Sequence, residues 1–320
     1  MTKQFLYIVD QLRNLNPKTD STLAIMEEAT RRGIRNFACE LKDISVLDGQ
    51  LKFMSAPVEV GRGYALPPVY LNEPTLRSAS LFQIIFMRKD PPVDRQYLAA
   101  LFMLRCEKQS KSVLVNDPDG ILFANEKLFS HMIALDYVPK TLVTSNKDLI
   151  VSFADENGRI VVKPLWNSGG SGVLVFDRKD RNLSSALEIL TKEFSAPVMV
   201  QSYIEAAREG DKRIIVLGGI AIGAVLRVPR DDEHRANFHA GGYAQKAVLT
   251  ERDHEIVAAL APHLISLGLH FVGIDVIGGY LTEINVTSPT GIIEIERLSQ
   301  TAQEQPIRAQ ILDYVERLIA

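Results

Sequence analysis

Three oxygen-bearing side chains, Asp275, Glu283 and Asn285, stand in a stretch that otherwise has the pattern of two apolar strands. The stretch covers residues 271–285, and its β-branched runs on either side of Gly278-Gly279 predict a β-hairpin. Buried carboxylates need partners, and a divalent cation is the usual partner where several oxygens converge. Mg2+ suits such ligands because it keeps some water and bridges substrate phosphates, which indicates nucleotide chemistry.

The metal hypothesis also predicts the length of the loop. Glu283 and Asn285 are two residues apart, so they share one face of the strand. A two-residue turn at Gly278-Gly279 would put Asp275 on the opposite face. A three-residue loop through Tyr280 would set Asp275 across from Glu283, so we expect this longer loop with a glycine bulge. The alternative is an ordinary hairpin with one edge exposed to water.

Two lysines stand where an anion would explain them. Lys163 interrupts an apolar strand and must either extend to solvent or find an anion. Residues 168–172, Ser-Gly-Gly-Ser-Gly, follow it, and their backbone N–H groups could approach a phosphate, although a glycine-rich hairpin turn is the other interpretation. Lys127 falls near the predicted start of a helix, a place that favours anions, and the alternative is a solvated lysine.

Arg213 and Arg227 belong to a second predicted hairpin, which turns at Gly218-Gly219. Pairing across that turn would put Arg213 near Ala224, so the two arginines need not touch, although they could flank one cleft. Arginine suits carboxylates and phosphoryl groups because its fork is planar and permanently charged. For each arginine alone, a surface ion pair is the alternative.

The first part of the chain offers a separate set of polar residues. Arg88 follows a predicted strand, and in open α/β sheets ligands gather at the carboxyl ends of strands. Arg88 is therefore a candidate for a substrate carboxylate. Asp20 and Ser21, at the predicted start of a helix, are further polar contacts.

Two irregular segments could complete a site. Residues 201–205 leave a strand and enter a polar turn, and backbone groups at such an exit often bind the edge of a base. Residues 228–242 form a long polar stretch without a clear period. Connections of this length often serve as lids, and this one carries Arg235 and Asn237.

The elements that would position these residues alternate between strand and helix in the first part of the chain, which predicts a small α/β domain with a mainly parallel sheet. We expect later helices at 125–135, 183–194, 250–267 and 306–319. The remaining predicted elements are strands: 5–9, 36–39, 81–87, 112–115, 141–144, 160–165, 173–176, 198–204 and the two hairpins.

Length and composition exclude several classes of protein. The chain has 320 residues, more than one hydrophobic core usually fills, so we expect two packed units. A net charge of −3 leaves no electrostatic footprint for nucleic acid or an anionic membrane. No window approaches the roughly 18 apolar residues of a membrane span, so we expect a cytoplasmic protein. Cys39 and Cys106 are too few for a disulfide framework and are expected to be buried thiols.

Taken together, these segments resemble the bacterial glutathione synthetases, which have the ATP-grasp fold. The resemblance runs from residue 5 to about residue 300. It is carried by residues 18–22 (KTDST), 87–92 (MRKDPP), 125–129 (NEKLF), 162–165 (VKPL), 210–213 (GDKR) and 281–291 (LTEINVTSPTG), with Gly273-Ile274-Asp275 ahead of the last motif. Trp166-Asn167 depart from the family pattern, while Gly169-Gly170 follow it.

The resemblance implies an α/β N-terminal substrate-binding domain at residues 1–124 and an ATP-grasp domain at residues 125–320. The latter would consist of a central lid subdomain (125–204) and a catalytic subdomain (205–320), with two antiparallel sheets clamping the nucleotide. It also implies ATP-dependent joining of γ-glutamylcysteine to glycine through an acyl phosphate, by a homodimer or homotetramer.

By position in the family motifs, each candidate residue receives a role. Arg213 and Arg227 would steady the phosphoryl group and the intermediate, and Mg2+, or Mn2+ in its place, would be held by Asp275, Glu283 and Asn285. The peptide would be held by Asp20, Ser21, Arg88, Arg235, Asn237 and Ser288. ATP would be bound by Lys127, Lys163, Gly169, Gly170, Gln201, Ser202, Tyr203, Ile204 and Asp211.

Two alternatives remain at this stage. Another ATP-grasp carboxylate–amine ligase would share the phosphate and metal residues, although residues 20–21 and 88–92 favour glutathione synthetase. A nucleotide-binding sensor without catalysis would keep ATP binding and lose its coupling to hydrolysis.

Overall fold

The protein is described here from a computed structural model. The structure describes residues 2–61, 63, 67–106, 112–167, 169–230, 236, 241–299 and 305–319. The predicted mixed α/β class, with two antiparallel sheets in the later part of the chain, is confirmed.

A mixed sheet is built from the first part of the chain. Its parallel half has the order β2-β1-β7-β8, and β3 to β6 extend it with antiparallel pairs. The elements are β1 (Gln4–Ile8), α1 (Ser21–Arg31), β2 (Arg35–Cys39), β3 (Ile44–Leu47), β4 (Gln50–Glu59), β5 (Val69–Tyr70), β6 (Thr75–Ser78), β7 (Ile84–Met87), α2 (Arg95–Leu104), β8 (Val113–Val115) and α3 (Pro118–Phe123).

A four-stranded antiparallel sheet follows, with the order β11-β10-β12-β9. Its elements, with the short helix that precedes it, are α4 (Phe129–Ile133), β9 (Thr141–Thr144), α5 (Lys147–Asn157), β10 (Ile160–Pro164), β11 (Leu174–Phe176), α6 (Leu183–Leu190) and β12 (Val198–Ser202).

A five-stranded antiparallel sheet, with the order β15-β14-β13-β16-β17, completes the fold. Its elements are β13 (Asp211–Leu217), β14 (Ile220–Val228), β15 (Tyr243–Lys246), α7 (Glu251–Ser266), β16 (Phe271–Ile277), β17 (Tyr280–Asn285), α8 (Ile292–Leu298) and α9 (Ile307–Leu318).

The buried side chains divide the molecule unequally. The four-stranded sheet has a hydrophobic cluster of its own, in which Ile150 and Leu187 cover Val162 and Val200. The first sheet and the five-stranded sheet share their clusters: Leu6 and Ile85 belong to the same cluster as Ile214 and Val272. The first and last parts of the chain therefore pack as one body, and the four-stranded sheet packs as another.

Asn116 fastens the two parts of the larger body. It follows β8, and its amide nitrogen donates to the backbone oxygens of Phe271 and Val286, both at 2.7 Å. Its amide oxygen accepts from the backbone N–H of Phe271 at 2.8 Å. All three bonds lie at the edge where β16 begins and β17 ends. They hold the end of β8 in a fixed position relative to the hairpin of β16 and β17.

Three local predictions need correction. The first sheet is not mainly parallel, because Asp48-Gly49, with φ of 51° and 76°, form a tight turn that folds β4 back on β3. The helix expected from residue 125 begins at Phe129, because the Asn125 side chain accepts from the N–H groups of residues 127 and 128 and holds a turn. The helix expected to reach 194 ends at Leu190, where the Thr191 hydroxyl donates to the oxygen of Leu187.

The cysteine prediction is half right. Cys39 is buried in the core and Cys106 is exposed, because α2 ends at Leu104 and Cys106 lies beyond its apolar face. Within the described ranges, no helix has the length and apolar character needed to cross a bilayer. The predicted lid at 228–242 falls largely outside the described residues.

The helix α7 is tied to the strand that carries the candidate arginine. Asp253 Oδ2 accepts from Lys212 Nζ at 2.6 Å and from both the N–H and the hydroxyl of Thr250 at 2.8 Å. Lys212 lies between Asp211 and Arg213 on β13 and points to the opposite face. Burial acts to raise the pKa of Asp253, but these hydrogen bonds lower it below the ordinary value of 3.8.

Replacing this carboxylate should therefore lower stability in a pH-dependent way. Asp253→Asn should cost about 1–2 kcal/mol of unfolding free energy at pH 7, because it removes a charged hydrogen bond while keeping a capping side chain. A lowered pKa stabilises the fold above pH 3.8 and loses that effect as the pH falls through the folded-state value, so the two proteins should converge in acid. Urea unfolding at several pH values measures this, with the exposed Asp148→Asn as the control. A difference that persists unchanged into acid would contradict it.

Candidate functional site

A pocket of about 910 Å3 separates the four-stranded sheet from the five-stranded sheet. One wall comes from β10, β11 and β12, and the other comes from β13, β16 and β17. Most of the predicted nucleotide residues and two of the predicted metal ligands line it: Lys127, Lys163, Gly170, Gln201, Ser202, Tyr203, Ile204, Asp211, Asp275 and Glu283. The structure therefore brings together residues that lie more than 150 positions apart in the chain.

A bulge in the second hairpin sets the acidic residues opposite each other. The predicted three-residue loop is wrong, because Ile277 pairs with Tyr280 across a two-residue turn. Asp275 nevertheless lies across from Glu283, as expected, since the register shifts by one residue at Thr282. The Thr282 hydroxyl donates to the backbone oxygen of Asp275 at 3.1 Å, which holds the extra residue in place.

The first hairpin contains the same device. Its two-residue turn pairs Leu217 with Ile220, and the register shifts by one residue beside Ile215, so Arg213 pairs with Val225 and not with Ala224. The shift puts Arg227 directly across from Asp211. Arg213 and Arg227 now share one face of the sheet, whereas an unbroken hairpin would have put them on opposite faces.

Both arginines converge on Asp275, which is consistent with the expectation that they could flank one cleft without touching each other. Arg213 Nε lies 2.6 Å from Asp275 Oδ1, and Arg227 Nη2 lies 2.9 Å from Asp275 Oδ2. Burial acts to raise the pKa of Asp275, but the charges of Arg213 and then Arg227 outweigh it and hold the pKa well below its usual range. Gly273 makes room for this arrangement, since a Cβ there would lie 3.2 Å from Arg213 Cδ.

Asp211 shares Arg227 with Asp275, but its carboxyl group titrates differently. Arg227 Nη2 lies 2.5 Å from Asp211 Oδ2. Burial is the larger effect here and, despite Arg227, raises the pKa of Asp211 to about 6. Asp211 Oδ1 and Arg227 Nε are buried and have no hydrogen-bond partner among the described residues. Asp211 lines the pocket, so its Oδ1 is an acceptor that a ligand could satisfy.

The two lysines reach the pocket from opposite walls. Lys127 Nζ lies 3.2 Å from Glu283 Oε1 and donates to the backbone oxygen of Asn167 at 2.5 Å. Lys163 Nζ donates to Gln201 Oε1 at 2.7 Å. Burial lowers the pKa of Lys163, so its charge is held at a cost that a phosphate could offset.

Thr141 fixes the orientation of the Gln201 amide, a role that the sequence analysis did not predict. The Thr141 hydroxyl donates to the backbone oxygen of Pro139 at 2.8 Å and accepts from Gln201 Nε2 at 3.0 Å. The amide oxygen of Gln201 must then face Lys163. The signal that could have found Thr141 is the pairing of β12 with β9, which sets Gln201 opposite it.

The side chains of Asp275, Glu283 and Asn285 suit a divalent cation. They lie on one face of neighbouring strands, and Asn285 Nδ2 is 3.3 Å from Asp275 Oδ2. A half-turn of the Asn285 amide would present its oxygen instead, and the two orientations are a matter of assignment. Among the described residues, no group of three or more His, Cys, Asp or Glu side chains could hold a metal ion, so the set is two carboxylates and one amide. Such a set leaves positions for phosphate oxygens and water.

The glycine turn after β10 borders the same pocket. Gly169 and Gly170 have φ of 62° and 79°, a region that side chains rarely adopt, so both positions need glycine. Gly170 lines the pocket, and Gly169 precedes it in the turn. Ser168 lies outside the described residues.

Four predicted peptide ligands meet at the carboxyl end of the first sheet. Arg88 is buried, with Nε donating to Thr22 Oγ1 at 3.1 Å and Nη2 donating to the backbone oxygen of Pro289 at 2.9 Å. Its Nη1 has no partner among the described residues. Ser288 donates to the backbone oxygen of Arg88, and Ser21 Oγ accepts from the N–H of Ile292.

Asp20 completes this cluster and has a structural task as well. Its Oδ1 caps α1 by accepting from the N–H of Leu23 at 2.9 Å. Burial raises the pKa of Asp20, and the nearby charge of Arg88 acts to lower it. The other two predicted peptide ligands, Arg235 and Asn237, lie outside the described residues, although Ala236 between them lines the pocket.

Removing Arg227, which Asp211 and Asp275 share, should lower the stability of the protein. Arg227→Met should lower the unfolding free energy by about 3–5 kcal/mol, because it leaves Asp211 and Asp275 buried without their common cation. The matched control is Arg178→Met, which breaks an exposed pair with Asp155 and should change stability by no more than about 1 kcal/mol. Urea denaturation of both variants at pH 7 gives the comparison. Equal losses in the two variants would show that Arg227 is not the charge on which the buried carboxylates depend.

Comparison with known proteins identifies the family to which the chain is similar. A family model described as the prokaryotic glutathione synthetase ATP-grasp domain matches residues 126–300, and the N-terminal domain of the same family matches residues 4–121. The chain is 42% identical to the glutathione synthetase of Thermosynechococcus vestitus over 311 residues, which cover 95% of this chain and 98% of that protein. It is 45% identical to that of Synechocystis sp. over 300 residues, covering 91% and 93%.

Solved structures share the fold at low sequence identity. A crystal structure of a D-cycloserine synthetase superposes with a TM-score of 0.67 at 16% identity, covering 98% of this chain and 99% of that chain. A structure of the ATP-grasp ligase PsnB superposes with a TM-score of 0.62 at 15% identity, covering 100% and 99%. With both domains matched and identities above 40% over nearly the whole chain, the protein belongs to the prokaryotic glutathione synthetase family of ATP-grasp ligases.

Proposed function

We propose that this protein joins the cysteinyl carboxylate of γ-glutamylcysteine to the amine of glycine, with hydrolysis of ATP to ADP and phosphate. A carboxylate oxygen attacks the γ-phosphorus of ATP, and ADP leaves with the bridging oxygen. The glycine nitrogen then attacks the acyl carbon, phosphate leaves, and the nitrogen gives up its proton. The observation that carries the proposal is the pocket that joins Lys127 and Lys163 to Asp275 and Glu283 of the acidic hairpin in a chain of this family. Arg213 and Arg227 stand behind it as the ion-pair partners of Asp275.

ATP fits between the two antiparallel sheets. Lys127 and Lys163 would hold its phosphates from the two walls, with the N–H groups of Gly169 and Gly170 beside them. Residues 201–204 would take the adenine at the exit of β12. Asp211 Oδ1, which has no partner among the described residues, would accept from the ribose. The Gln201 side chain is already engaged by Lys163, so base recognition falls to the backbone of this segment.

Mg2+, or Mn2+ in its place, would be held by Asp275, Glu283 and Asn285. When bound, the cation supplies charge neutralisation for the phosphate oxygens. Arg213 and Arg227 lie on the same face of the sheet and would neutralise the phosphoryl group as it moves to the acceptor carboxylate. Phosphoryl transfer demands positioning and charge more than covalent help from the protein, and these side chains supply both.

Arg88 would hold a carboxylate of the peptide. Arg88 is the positively charged member of a cluster with Asp20, Ser21 and Ser288. Its Nη1 has no partner within the described part of the chain and is a donor for such a group. Arg235 and Asn237 would complete the peptide site from the predicted lid, which would keep water from the acyl phosphate.

The roles of the domains, the location of the protein and its assembly follow from the same proposal. Residues 1–124 would act as the substrate-binding domain and 125–320 as the ATP-grasp domain, with 125–204 as its central lid part and 205–320 as its catalytic part. The separate core of the four-stranded sheet supports treating that part as a unit. We also propose a cytoplasmic location and assembly as a homodimer or homotetramer.

The test of the reaction is ADP release from ATP with Mg2+ and γ-glutamylcysteine, with and without glycine. Glycine-dependent release, with glutathione identified by its mass, is the expected result. Release that requires another acid or amine would overturn the named substrates and keep the ATP-grasp ligase. No release with any pair, while ATP still binds, would identify a sensor.

Arg88 should act on one substrate only. Arg88→Met should raise the KM for γ-glutamylcysteine by about 10- to 100-fold, because it removes a charged hydrogen bond to a buried carboxylate, and should leave the KM for ATP nearly unchanged. The exposed Arg95→Met, at the start of α2, is the matched control and should change neither constant. Steady-state kinetics with each substrate varied in turn make the measurement. A parallel rise of both constants would place Arg88 outside the peptide site.

A further inference from the structure

Glu126 precedes the phosphate lysine and is held by the strand that carries the metal ligands. Its backbone oxygen accepts from the N–H of Ile284 at 2.9 Å. Its carboxylate oxygen Oε1 accepts from the hydroxyl of Thr287 at 2.8 Å and from the N–H of Thr287 at 3.4 Å. Glu126 is therefore hydrogen-bonded to β17 at Ile284 and, just beyond the end of the strand, to Thr287.

The surroundings of Glu126 disfavour a charged carboxylate. Burial, and then the neighbouring charge of Glu283, raise the pKa of Glu126 to about 7, so the site does not favour its charge. The side chain lies in the wall of a second cavity, of about 690 Å3, that also borders Lys127, Asn167 and Thr287. A methionine would fill the same space without this cost, so the value of Glu126 must come from what its oxygen holds.

Besides the Glu126 side chain, the turn is held by its backbone hydrogen bond to Ile284 and by the buried Phe129 that follows it. The Asn125 side chain accepts from the N–H groups of Lys127 and Leu128, which shapes the turn internally. The helix that follows is short, ending at Ile133. The link from Glu126 to Thr287 is the side-chain hydrogen bond, among the described residues, that ties this turn to the chain beyond β17.

We propose that Glu126 is a positioning residue for the ligase reaction, which holds the turn of Lys127 against Thr287 and so aims the Lys127 ammonium at the nucleotide phosphates. The inference rests on the proposed function, since it assigns Lys127 to ATP. Lys127 Nζ already lies 3.2 Å from Glu283 Oε1, so a small shift of the turn would move the ammonium relative to both the phosphates and a metal ligand.

The conservative variant separates the hydrogen bond from the charge. Glu126→Gln keeps an oxygen that can accept from Thr287, and should change ATP affinity by no more than about twofold. Glu126→Ala removes the acceptor and should weaken ATP binding by about tenfold, as expected for the loss of a buried hydrogen bond that orients a ligand group. Thr287→Val removes the donor at constant volume and should match Glu126→Ala, and the double variant should be no weaker than either single one.

Calorimetric titration with ATP and Mg2+, in the absence of the acid and the amine, gives the binding constant independently of turnover. Kinetics then separate the effects: the KM for ATP should rise in Glu126→Ala, while the KM for γ-glutamylcysteine should stay the same. The matched control is Glu296→Ala, which removes another partly buried carboxylate. Glu296 lies on α8, pairs with Arg308 of α9 and does not line the nucleotide pocket. It should leave ATP binding unchanged.

The outcomes are distinct. A Gln variant as weak as the Ala variant, additive losses in the double variant, or equal increases in both KM values would overturn the positioning role. If Glu126→Ala fails to fold, Thr287→Val alone decides by the same titration. Should the wild-type protein bind ATP but form no glutathione, the proposed function fails while the titrations still judge the role of Glu126.

Discussion

The buried carboxylate of Asp275 is the charge around which the rest of the site is arranged. It is removed from water in the middle of a sheet, where an unpaired carboxylate would not remain ionised. Arg213 and Arg227 keep it ionised, and both are themselves buried and depend on it in turn. The three groups are therefore a single unit. A nucleotide or cation that enters the pocket meets charges that are already fixed and need little reorganisation.

Sheet geometry explains how this unit is assembled. Side chains alternate between faces along a strand, so a hairpin with a two-residue turn decides the face of every residue beyond it. Each hairpin of the five-stranded sheet contains one extra residue, Ile222 in β14 and Thr282 in β17, and each brings polar side chains onto the pocket face. Without these bulges Arg227 and Glu283 would lie on the far side, in the apolar core. Two single-residue shifts thus decide whether these charged side chains face the pocket or the apolar core.

The sequence predicted many of the strands, the two hairpins and the types of residue in the site, because apolar periodicity and glycine turns are local signals. It did not predict β3 to β6 in the first sheet or β15. It predicted that Asp275 faces Glu283, but for the wrong reason, since the bulge lies at Thr282 and not in the loop. A bulge depends on which hydrogen bonds the two strands can complete, and no residue type marks it. Thr141 and Thr287 escaped notice for a related reason: each acts on a residue, Gln201 or Glu126, that only folding brings near.

The pocket lies between two separately packed bodies, and a hydrogen bond across it joins them. Lys127 precedes Phe129, which is buried in the body formed by the first and last parts of the chain, whereas Asn167 follows β10 of the four-stranded sheet. The hydrogen bond from Lys127 to Asn167 therefore crosses the pocket between separately packed units. A phosphate that binds the Lys127 ammonium would compete with this backbone oxygen for its N–H donors, so nucleotide binding would act on the link between the two bodies. Because each body keeps its own core, such a change can alter their separation without disturbing Asp275 and its arginines.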